Sequence, residues 1–193
     1  MSVKYRPATA RAVSRRGGGF EAVITNAAGC GSTLKEYGEL LEDDPEYAAK
    51  ARDFSGMMRD IAEFLAGLEL NPNMGPVDAA VTYQDSCHLA PGQKIRAAPR
   101  KVLAAVPGLE FREMPGADIC CGSAGIYNVV ENEMSSQILA HKMECVRSTG
   151  AAVIATANPG CMLQLQAGVR LRGSKQRIMH VVEILDLAYR NFK

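Results

Sequence analysis

The chain has 193 residues, of which 47% are hydrophobic and 22% charged, and this composition excludes wholesale disorder. Lysine and arginine number 22 against 21 aspartates and glutamates, and a net charge of +1 argues against a nucleic-acid-binding protein. No apolar run approaches the ~18 residues of a membrane span. The first 20 residues also lack the apolar segment of a secretory signal, so we expect a cytoplasmic protein without a transmembrane segment.

Short β-prone runs alternate with longer stretches of helical periodicity. In the first half of the chain, the expected elements are a strand at Ala22–Thr25, helices at Thr33–Leu41 and Glu46–Leu68, a strand at Ala79–Tyr83 and a loop and helix at Pro91–Val106. They are followed by a strand at Leu109–Met114, a loop at Gly116–Gly125 and a largely helical stretch at Ser123–Ser148. The last expected elements are a strand at Ala152–Ala155, a helix at Cys161–Arg172, a strand at Arg177–His180 and a helix at Val181–Phe192. Asp44 and Pro45 predict the start of the second helix. Strands separated by helices predict an α/β fold with a mostly parallel sheet of βαβ units. The turn-rich stretch Asn71–Pro76 predicts a boundary between residues 1–70 and 77–193.

Two segments of the chain resemble each other. Ala22–Cys30 is AVITNAAGC and Ala152–Cys161 is AVIATANPGC, so each carries a buried strand through an Asn-containing turn into Gly-Cys at the head of a helix. Downstream, AEFL at 62–65 matches VEIL at 182–185. We interpret this similarity as an internal duplication rather than a coincidence between two βα turns. Because only 29 residues precede Cys30, the first copy is expected to lack its front half.

Cysteines are the unusual feature of the composition. There are six of them: Cys30, Cys87, Cys120, Cys121, Cys145 and Cys161. Without an export signal, metal binding or redox chemistry is favoured over a disulfide framework. A disulfide between Cys120 and Cys121 is disfavoured, because neighbouring Cα atoms lie ~3.8 Å apart whereas a relaxed disulfide needs ~4.4–6.8 Å.

The positions of four cysteines predict a common site. Cys87 and Cys161 each follow a predicted strand, and the carboxyl ends of parallel strands share the sheet edge where ligands usually bind. Cys120 and Cys121 lie in a glycine-rich loop that allows close backbone approach. We expect these four sulfurs to lie within roughly 8 Å of a common centre.

Several chemistries compete for these cysteines. Structural zinc sites use C-x₂₋₄-C pairs, which the chain lacks, whereas four thiolates on flexible loops are typical of iron–sulfur ligation. Nucleophilic catalysis remains open, because Cys161 at a helix N-terminus would have a lowered pKa and His88 or His180 could serve as its base. Cys145, in the middle of a helix, is expected to be a small hydrophobe and not a ligand.

Four segments carry a family resemblance: CHLAPGQ from Cys87, CCGSAGIYN from Cys120, NPGCMLQL from Asn158 and NAAGCGSTLKEYG from Asn26. Together they resemble the cysteine-rich CCG-domain family, most closely its glycolate oxidase and lactate-utilisation iron–sulfur subunits. The resemblance implies a complete CCG domain at 77–193, preceded at 1–70 by the tail of a second CCG-like unit. It implies an electron-transfer subunit, not catalytic alone, between a flavin-binding 2-hydroxy-acid dehydrogenase subunit and a respiratory acceptor. A ferredoxin-like iron–sulfur chain would be a further partner, and partners would hold the chain at the inner face of the membrane.

The resemblance also implies a [4Fe-4S] cluster on Cys87, Cys120, Cys121 and Cys161, with flavin only on a partner. The more distantly related CCG domains of heterodisulfide reductase hold non-cubane clusters through Cys, Cys-Cys-Gly and Cys-x-x-Cys. Asn158 replaces the first cysteine of the last element, so the choice between cubane and non-cubane clusters stays open. Asn158 could bond to backbone, donate to a cluster sulfur, or serve only as a turn former.

Two alternative functions follow from the same features, namely a heterodisulfide-reductase-like domain acting on disulfides and a cluster-free scaffold. Cys30 has no companion thiolates and is expected to be free of iron. The shortened first unit is expected to begin with a helix at Ala8–Arg16, leaving apolar surface and a strand edge uncovered around Val23, Ile24 and Cys30. Self-association, a partner subunit, or the chain's own residues Met1–Arg6 would then cover this surface.

Overall fold

A four-stranded parallel sheet forms the centre of the fold, and its strands lie side by side in the order Leu109–Phe111, Ala79–Tyr83, Val153–Thr156 and Arg177–His180. The computed structural model describes residues 15–16 and 19–192. The strands are β1 (Arg15–Arg16), β2 (Gly19–Phe20), β3 (Val23–Thr25), β4 (Met58–Asp60), β5 (Ala79–Tyr83), β6 (Leu109–Phe111), β7 (Val153–Thr156) and β8 (Arg177–His180). The helices are α1 (Ala28–Lys35), α2 (Tyr37–Leu40), α3 (Ala48–Met57), α4 (Ile61–Ala66), α5 (Ala97–Ala104), α6 (Tyr127–Val130), α7 (Asn132–Thr149), α8 (Pro159–Leu171) and α9 (Val181–Arg190). The predicted α/β fold with a parallel sheet is confirmed. Among the described residues, no helix combines the length and apolarity needed to cross a membrane.

Helices cover both faces of this sheet, as the alternation of side chains along β7 shows. Val153 and Ala155 point into a core shared with α5 and α9. Ile154, between them, points into a second core shared with α7 and α8. Because the side chains of a strand alternate between faces, one short apolar strand serves both layers. The second core also contains Cys121 and Cys161, so the cysteine-bearing segments are anchored in packed hydrophobic structure.

The similarity between the two halves of the sequence is matched in three dimensions. Parallel strands β3 and β4 pair with Thr25 opposite Asp60, and β7 and β8 pair with Thr156 opposite His180. In each half, the last residue of the second strand caps the helix that follows. Asp60 Oδ1 accepts the N–H of the second residue of α4 at 2.8 Å, and His180 Nδ1 accepts the equivalent N–H of α9 at 3.2 Å. Both helices begin with a capping box, because a glutamate three residues after the cap, Glu63 or Glu183, accepts the backbone N–H of the capping residue. Two β-α-β-α units therefore share one architecture.

The prediction of one continuous helix at Glu46–Leu68 is wrong, because strand β4 separates helices α3 and α4 within this range. Met58 and Asp60 are both fully buried while Arg59 is half-buried, which is the alternation of a strand. The spacing of apolar residues around position 58 also fits a helix, so periodicity alone could not distinguish the two. The start of this helix also differs. Asp44 accepts the N–H groups of the two residues that precede α3, which begins only at Ala48.

Other elements differ less from the prediction. Ala79–Tyr83 and Arg177–His180 have the predicted bounds, whereas α1 begins five residues before the predicted Thr33 and stops at Lys35. Most of the helix expected at Ala8–Arg16 lies outside the described residues, which begin at position 15. The segment Met1–Arg6, expected as one possible cover of the apolar surface, also lies outside them. Arg15–Arg16 form a strand.

An exposed apolar surface was expected around Val23, Ile24 and Cys30 in the first unit, but the two apolar side chains among them are not exposed. Ile24 is buried, Val23 is half-buried, and only Cys30 is exposed. The covering of this surface by self-association or by a partner subunit stays a prediction.

We expect Asp60→Asn to make the free energy of unfolding less dependent on pH between about pH 4 and pH 6. Burial raises the pKa of Asp60 from 3.8 to about 6, so in this window the folded protein holds a proton that the unfolded chain has released. The stabilisation is fully present below about pH 4 and is lost as the pH rises through 6, on the order of 2–3 kcal/mol. Asparagine accepts the same helix-capping N–H without ionising.

Urea unfolding of both proteins across this range measures the effect. Because burial lowers the pKa of His180, that group titrates in the opposite sense, so the difference between the two curves is the quantity to compare. Parallel curves would contradict the prediction.

Candidate functional site

The four cysteines expected to converge all line one cavity of about 170 Å³ at the carboxyl edge of the parallel sheet. Cys87 follows β5 and Cys161 follows β7, and these strands are neighbours in the sheet. Cys120 and Cys121 reach the cavity from the loop between β6 and α6. All four are free thiols. The remaining lining residues are Gly29, Gln84, His88, Ser123, Ala124, Gly125, Asn158 and Gly160. Three loops therefore meet at one place, while the expected spacing of the sulfurs stays a prediction.

The loop that carries Cys120 and Cys121 is held by hydrogen bonds that do not involve its thiols. The Ser135 hydroxyl donates to the Gly122 carbonyl at 2.8 Å, and Gln164 Nε2 donates to the same hydroxyl oxygen at 3.0 Å. Asn128 Nδ2 then donates to Gln164 Oε1 at 3.1 Å. We call these four residues, Gly122, Ser135, Gln164 and Asn128, the polar relay. It ties the loop to α6, α7 and α8 together.

A buried lysine fixes the segment that leads into this loop. Lys142 of α7 is fully buried, and its Nζ donates to the carbonyl oxygens of Gly116 at 2.7 Å and Ala117 at 3.2 Å. Burial lowers its pKa, while the thiols of Cys145, Cys121 and Cys120 act in the opposite direction. By the same interaction, a positive charge on Lys142 favours negative charge on these thiols.

Asn158 connects Cys161 with the first β-α-β-α unit. It is the N-cap of α8, and its Nδ2 donates to Cys161 Sγ at 3.6 Å. Its Oδ1 accepts the N–H of Gly29, in the first turn of α1, at 3.1 Å. Beside this bond, the Ala28 N–H donates to the Ala157 carbonyl at 3.1 Å. The N-termini of α1 and α8 therefore meet at the cavity.

The thiols lie close enough to perturb one another's ionisation. The hydrogen bond with Cys121 lowers the pKa of Cys161, and the bond from Asn158 acts in the same direction. The hydrogen bond with Cys121 and burial raise the pKa of Cys120. Burial and the neighbouring Cys120 raise the pKa of Cys87. The arrangement therefore favours one thiolate at Cys161, and further ionisation requires a cationic group in the cavity.

The pairing of Cys161 with a histidine base, left open by the sequence, is not assembled in the described residues. His180 uses its Nδ1 to cap α9, and burial lowers its pKa. His88 lines the cavity, but its Nδ1 lies 3.6 Å from Cys87 Sγ. Cys161 instead accepts a hydrogen bond from Asn158.

The zinc alternative also finds no support. Across residues 15–16 and 19–192, no group of three or more His, Cys, Asp and Glu side chains is arranged to hold a metal ion. The two remaining cysteines lie away from the cavity lining. Cys30 is exposed on α1, and Cys145 packs against the core of α7 and α8, as expected for a small hydrophobe.

Ser135, Gln164 and Lys142 hold the cysteine loop, and sequence reasoning missed all three. Each is buried on a helix, where a polar side chain must find partners. The available signal was periodicity, because Lys142 lies three residues after Leu139 and four before Val146 on the apolar face of α7. This spacing shows that a polar residue stands at an apolar position of the helix, but it does not show which groups form hydrogen bonds with it.

We expect Gly122→Ala to destabilise the protein more than the matched control Gly125→Ala. Both glycines have positive φ, +90° and +66°, so both substitutions strain the backbone by about 1–2 kcal/mol. A Cβ at position 122 would lie 2.6 Å from the Ser135 carbonyl oxygen, whereas a Cβ at 125 meets nothing within 4 Å. The additional clash should cost about 1–3 kcal/mol in urea unfolding. Equal losses would show that the loop shifts away from α7 without cost.

Comparison with known proteins places the chain in a family. The family model of the cysteine-rich domain (CCG) matches residues 81–166, which include all four cavity cysteines. Over 169 residues, the chain is 46% identical to the probable glycolate oxidase iron-sulfur subunit of Bacillus subtilis, covering 86% of the chain and 38% of that protein. Over 172 residues, it is 36% identical to a subunit of the CoM/CoB fumarate reductase of Methanothermobacter marburgensis, covering 89% of the chain and 33% of that protein. The chain thus spans less than two-fifths of the length of these two relatives.

Over 167 residues, it is 30% identical to lactate utilization protein A of Bacillus subtilis, covering 86% of the chain and 70% of that protein. The chain therefore carries the cysteine-rich CCG domain and belongs to one family with lactate utilization protein A.

Proposed function

We propose that this chain is the iron–sulfur electron-transfer part of a flavin-dependent 2-hydroxy-acid dehydrogenase of the glycolate or lactate type. It receives electrons from a flavin-binding partner subunit and passes them to a respiratory acceptor, and it is not catalytic alone. The observation that best supports this proposal is the meeting of four cysteines in one cavity within the matched CCG domain. The names of the glycolate oxidase and lactate utilization relatives are consistent with it.

The donor set of the cavity fits a [4Fe-4S] cluster held by Cys87, Cys120, Cys121 and Cys161. Four thiolates are the usual ligands of such a cluster, and each binds a different iron, so they need not lie as close together as the ligands of one ion. Asn158 supplies no fifth thiolate, which supports four-cysteine ligation. When bound, the cluster takes up and releases one electron at a time.

Protein groups already point at two of the proposed ligands. The Gly122 N–H lies 3.3 Å from Cys120 Sγ, and Asn158 Nδ2 lies 3.6 Å from Cys161 Sγ. Such donors stabilise negative charge on ligand sulfurs and so favour the reduced state of a cluster. The buried ammonium of Lys142 contributes in the same sense.

In this proposal, residues 77–193 form the cluster-binding CCG domain and residues 1–70 a CCG-like unit that supports it through Gly29. Cys30 is exposed on the supporting unit and carries no iron. The protein acts in the cytoplasm, held at the inner face of the membrane by its partners. A ferredoxin-like iron–sulfur chain is a further partner.

Iron and acid-labile sulfide analysis after anaerobic purification tests the proposal. We expect about four irons and four sulfides per chain, with broad absorbance in the blue part of the visible spectrum. Single Cys→Ser substitutions at 87, 120, 121 and 161 should each lower the iron content sharply. The matched controls Cys30→Ser and Cys145→Ser should leave it unchanged, because those side chains lie away from the cavity.

A chain that takes up no iron under these conditions would instead be the cluster-free scaffold. Turnover of small disulfides by the iron-loaded chain would support the heterodisulfide-reductase-like alternative.

We expect Asn158→Ala to lower the reduction potential of the loaded chain. Losing the N–H donor at Cys161 Sγ removes a group that stabilises the reduced, more negative state. A redox titration followed by visible absorbance or electron paramagnetic resonance measures the shift, and thermal unfolding measures the loss of the bond to Gly29. An unchanged potential, with only a lower unfolding temperature, would reduce Asn158 to a turn-forming and bridging role.

A further inference from the structure

An apolar surface flanks the cysteine cavity. It is formed by exposed hydrophobic side chains that we call the apolar rim: Ile119, Ile126, Val129, Val130, Met134 and Leu163. We propose that the apolar rim is the face on which the flavin-binding redox partner docks. This inference rests on the proposed function and adds to it the surface through which electrons arrive.

The apolar rim is a concentration of exposed apolar surface rather than a scatter. Within the described residues, twelve large hydrophobic side chains are exposed, and five of them fall in the short stretch 119–134. The same stretch contains Cys120 and Cys121, and its exposed Ala124 and Gly125 line the cavity. Single exposed hydrophobic residues are ordinary, but a contiguous group of them marks an interaction surface.

The polar relay holds the apolar rim outward. Asn128 bonds to Gln164, which fixes the inner side of α6 against α8. The neighbouring Val129 is 77% exposed, and Leu163, next to Gln164 on α8, is 68% exposed. The hydrogen-bonded residues thus occupy the inward positions, so these neighbours cannot turn inward without breaking the relay. Apolar side chains presented on a fixed frame are the usual centre of a protein interface.

The charges beside the apolar rim favour a different protein over a second copy or a membrane surface. Glu131 and Glu133 are exposed within the same stretch, and neither forms an ion pair or side-chain hydrogen bond among the described residues. A two-fold dimer centred on this patch would bring the unpaired carboxylates of both subunits into one interface, and the like charges would oppose association. Anionic lipid headgroups would be repelled in the same way. The fitting occupant is a protein face with an apolar centre and basic side chains at its margin.

The position of the apolar rim favours a redox protein as that occupant. Electron transfer slows steeply as the distance between the two redox groups grows, so the donor must dock close to the cavity. Ala124 and Gly125 are exposed where they line the cavity, and Ile126 follows them directly, 75% exposed. A partner bound on the α5–α9 side would be separated from the cysteines by the thickness of the sheet. A protein seated on the apolar rim is separated from them by one loop.

The probe is a flavin-binding 2-hydroxy-acid dehydrogenase subunit that oxidises glycolate. The test variant carries Ile126→Ser, Val129→Ser and Val130→Ser. The matched control changes three exposed apolar residues elsewhere, Leu40→Ser, Leu171→Ser and Phe192→Ser. Iron content, thermal unfolding and reduction by dithionite are recorded for each protein. The dissociation constant of the probe and the rate of cluster reduction by probe plus glycolate are then compared.

We expect the test variant to bind the probe at least about tenfold more weakly than the parent, as for loss of interface anchors. Its reduction by probe plus glycolate should slow accordingly, while dithionite reduction and unfolding stay unchanged. The control variant should behave like the parent. These results together support the docking face.

Other outcomes overturn the proposal. They are absence of probe binding at micromolar concentration, equal weakening in test and control variants, or a dimer of the chain that the test substitutions dissociate. The proposed function fails separately, since it is read from iron content. If the chain contains no iron but the test substitutions still weaken probe binding, the docking face is supported and the proposed function is not. If the chain is loaded with iron but the test substitutions leave probe binding unchanged, the proposed function is supported and the docking face is not.

Discussion

The hydrogen bond from the Gly29 N–H to Asn158 Oδ1 is the contact on which the cavity depends, because it joins two structural units at the place where the thiols meet. It brings the N-termini of α1 and α8 to one point, and Gly29 and Gly160 from these two first turns both line the cavity. Helix N-termini carry partial positive charge. The two N-termini therefore add to the effect of the Asn158 N–H donor in favouring anionic sulfur at the cavity.

The two β-α-β-α units show how one frame can serve different purposes. Cys30 and Cys161 occupy the same position, three residues after the N-cap of α1 and α8 respectively. At the N-cap itself, the first unit has Ala27 where the second has Asn158, so only the second offers a side chain to bridge the units. Cys161 is 3% exposed because α7 and the cysteine loop pack over it, whereas Cys30 is exposed. The difference between the units thus lies in what covers each helix.

Sequence patterns predicted the elements whose signals are local. The strands at Ala79–Tyr83 and Arg177–His180 have the predicted bounds, because a short apolar run stands between clear breaks. The same reasoning placed Cys87 and Cys161 at one sheet edge, since topology alone brings the ends of parallel strands together. Strand β4 was lost inside a predicted helix because it has three residues and its pairing partner β3 is distant in the chain. The bonds of the polar relay and of Lys142 escaped prediction for a related reason, since a helical pattern shows that a polar residue is buried but not which loop folds against it.

These same contacts explain how the site can keep its shape while its chemistry changes. Neither the polar relay nor the bonds from Lys142 use a thiol, and the loop they hold turns through Gly122 with φ of +90°. The position of the loop that carries Cys120 and Cys121 is therefore set by bonds that do not depend on the protonation or ligation of its thiols. The neighbouring thiols oppose one another's ionisation, and the bonds that fix this loop keep Cys120 and Cys121 from moving away from the other two to relieve that cost. The apolar rim follows from the same constraint, because α6 is fixed by its polar side and its apolar side is left to face solvent or a partner.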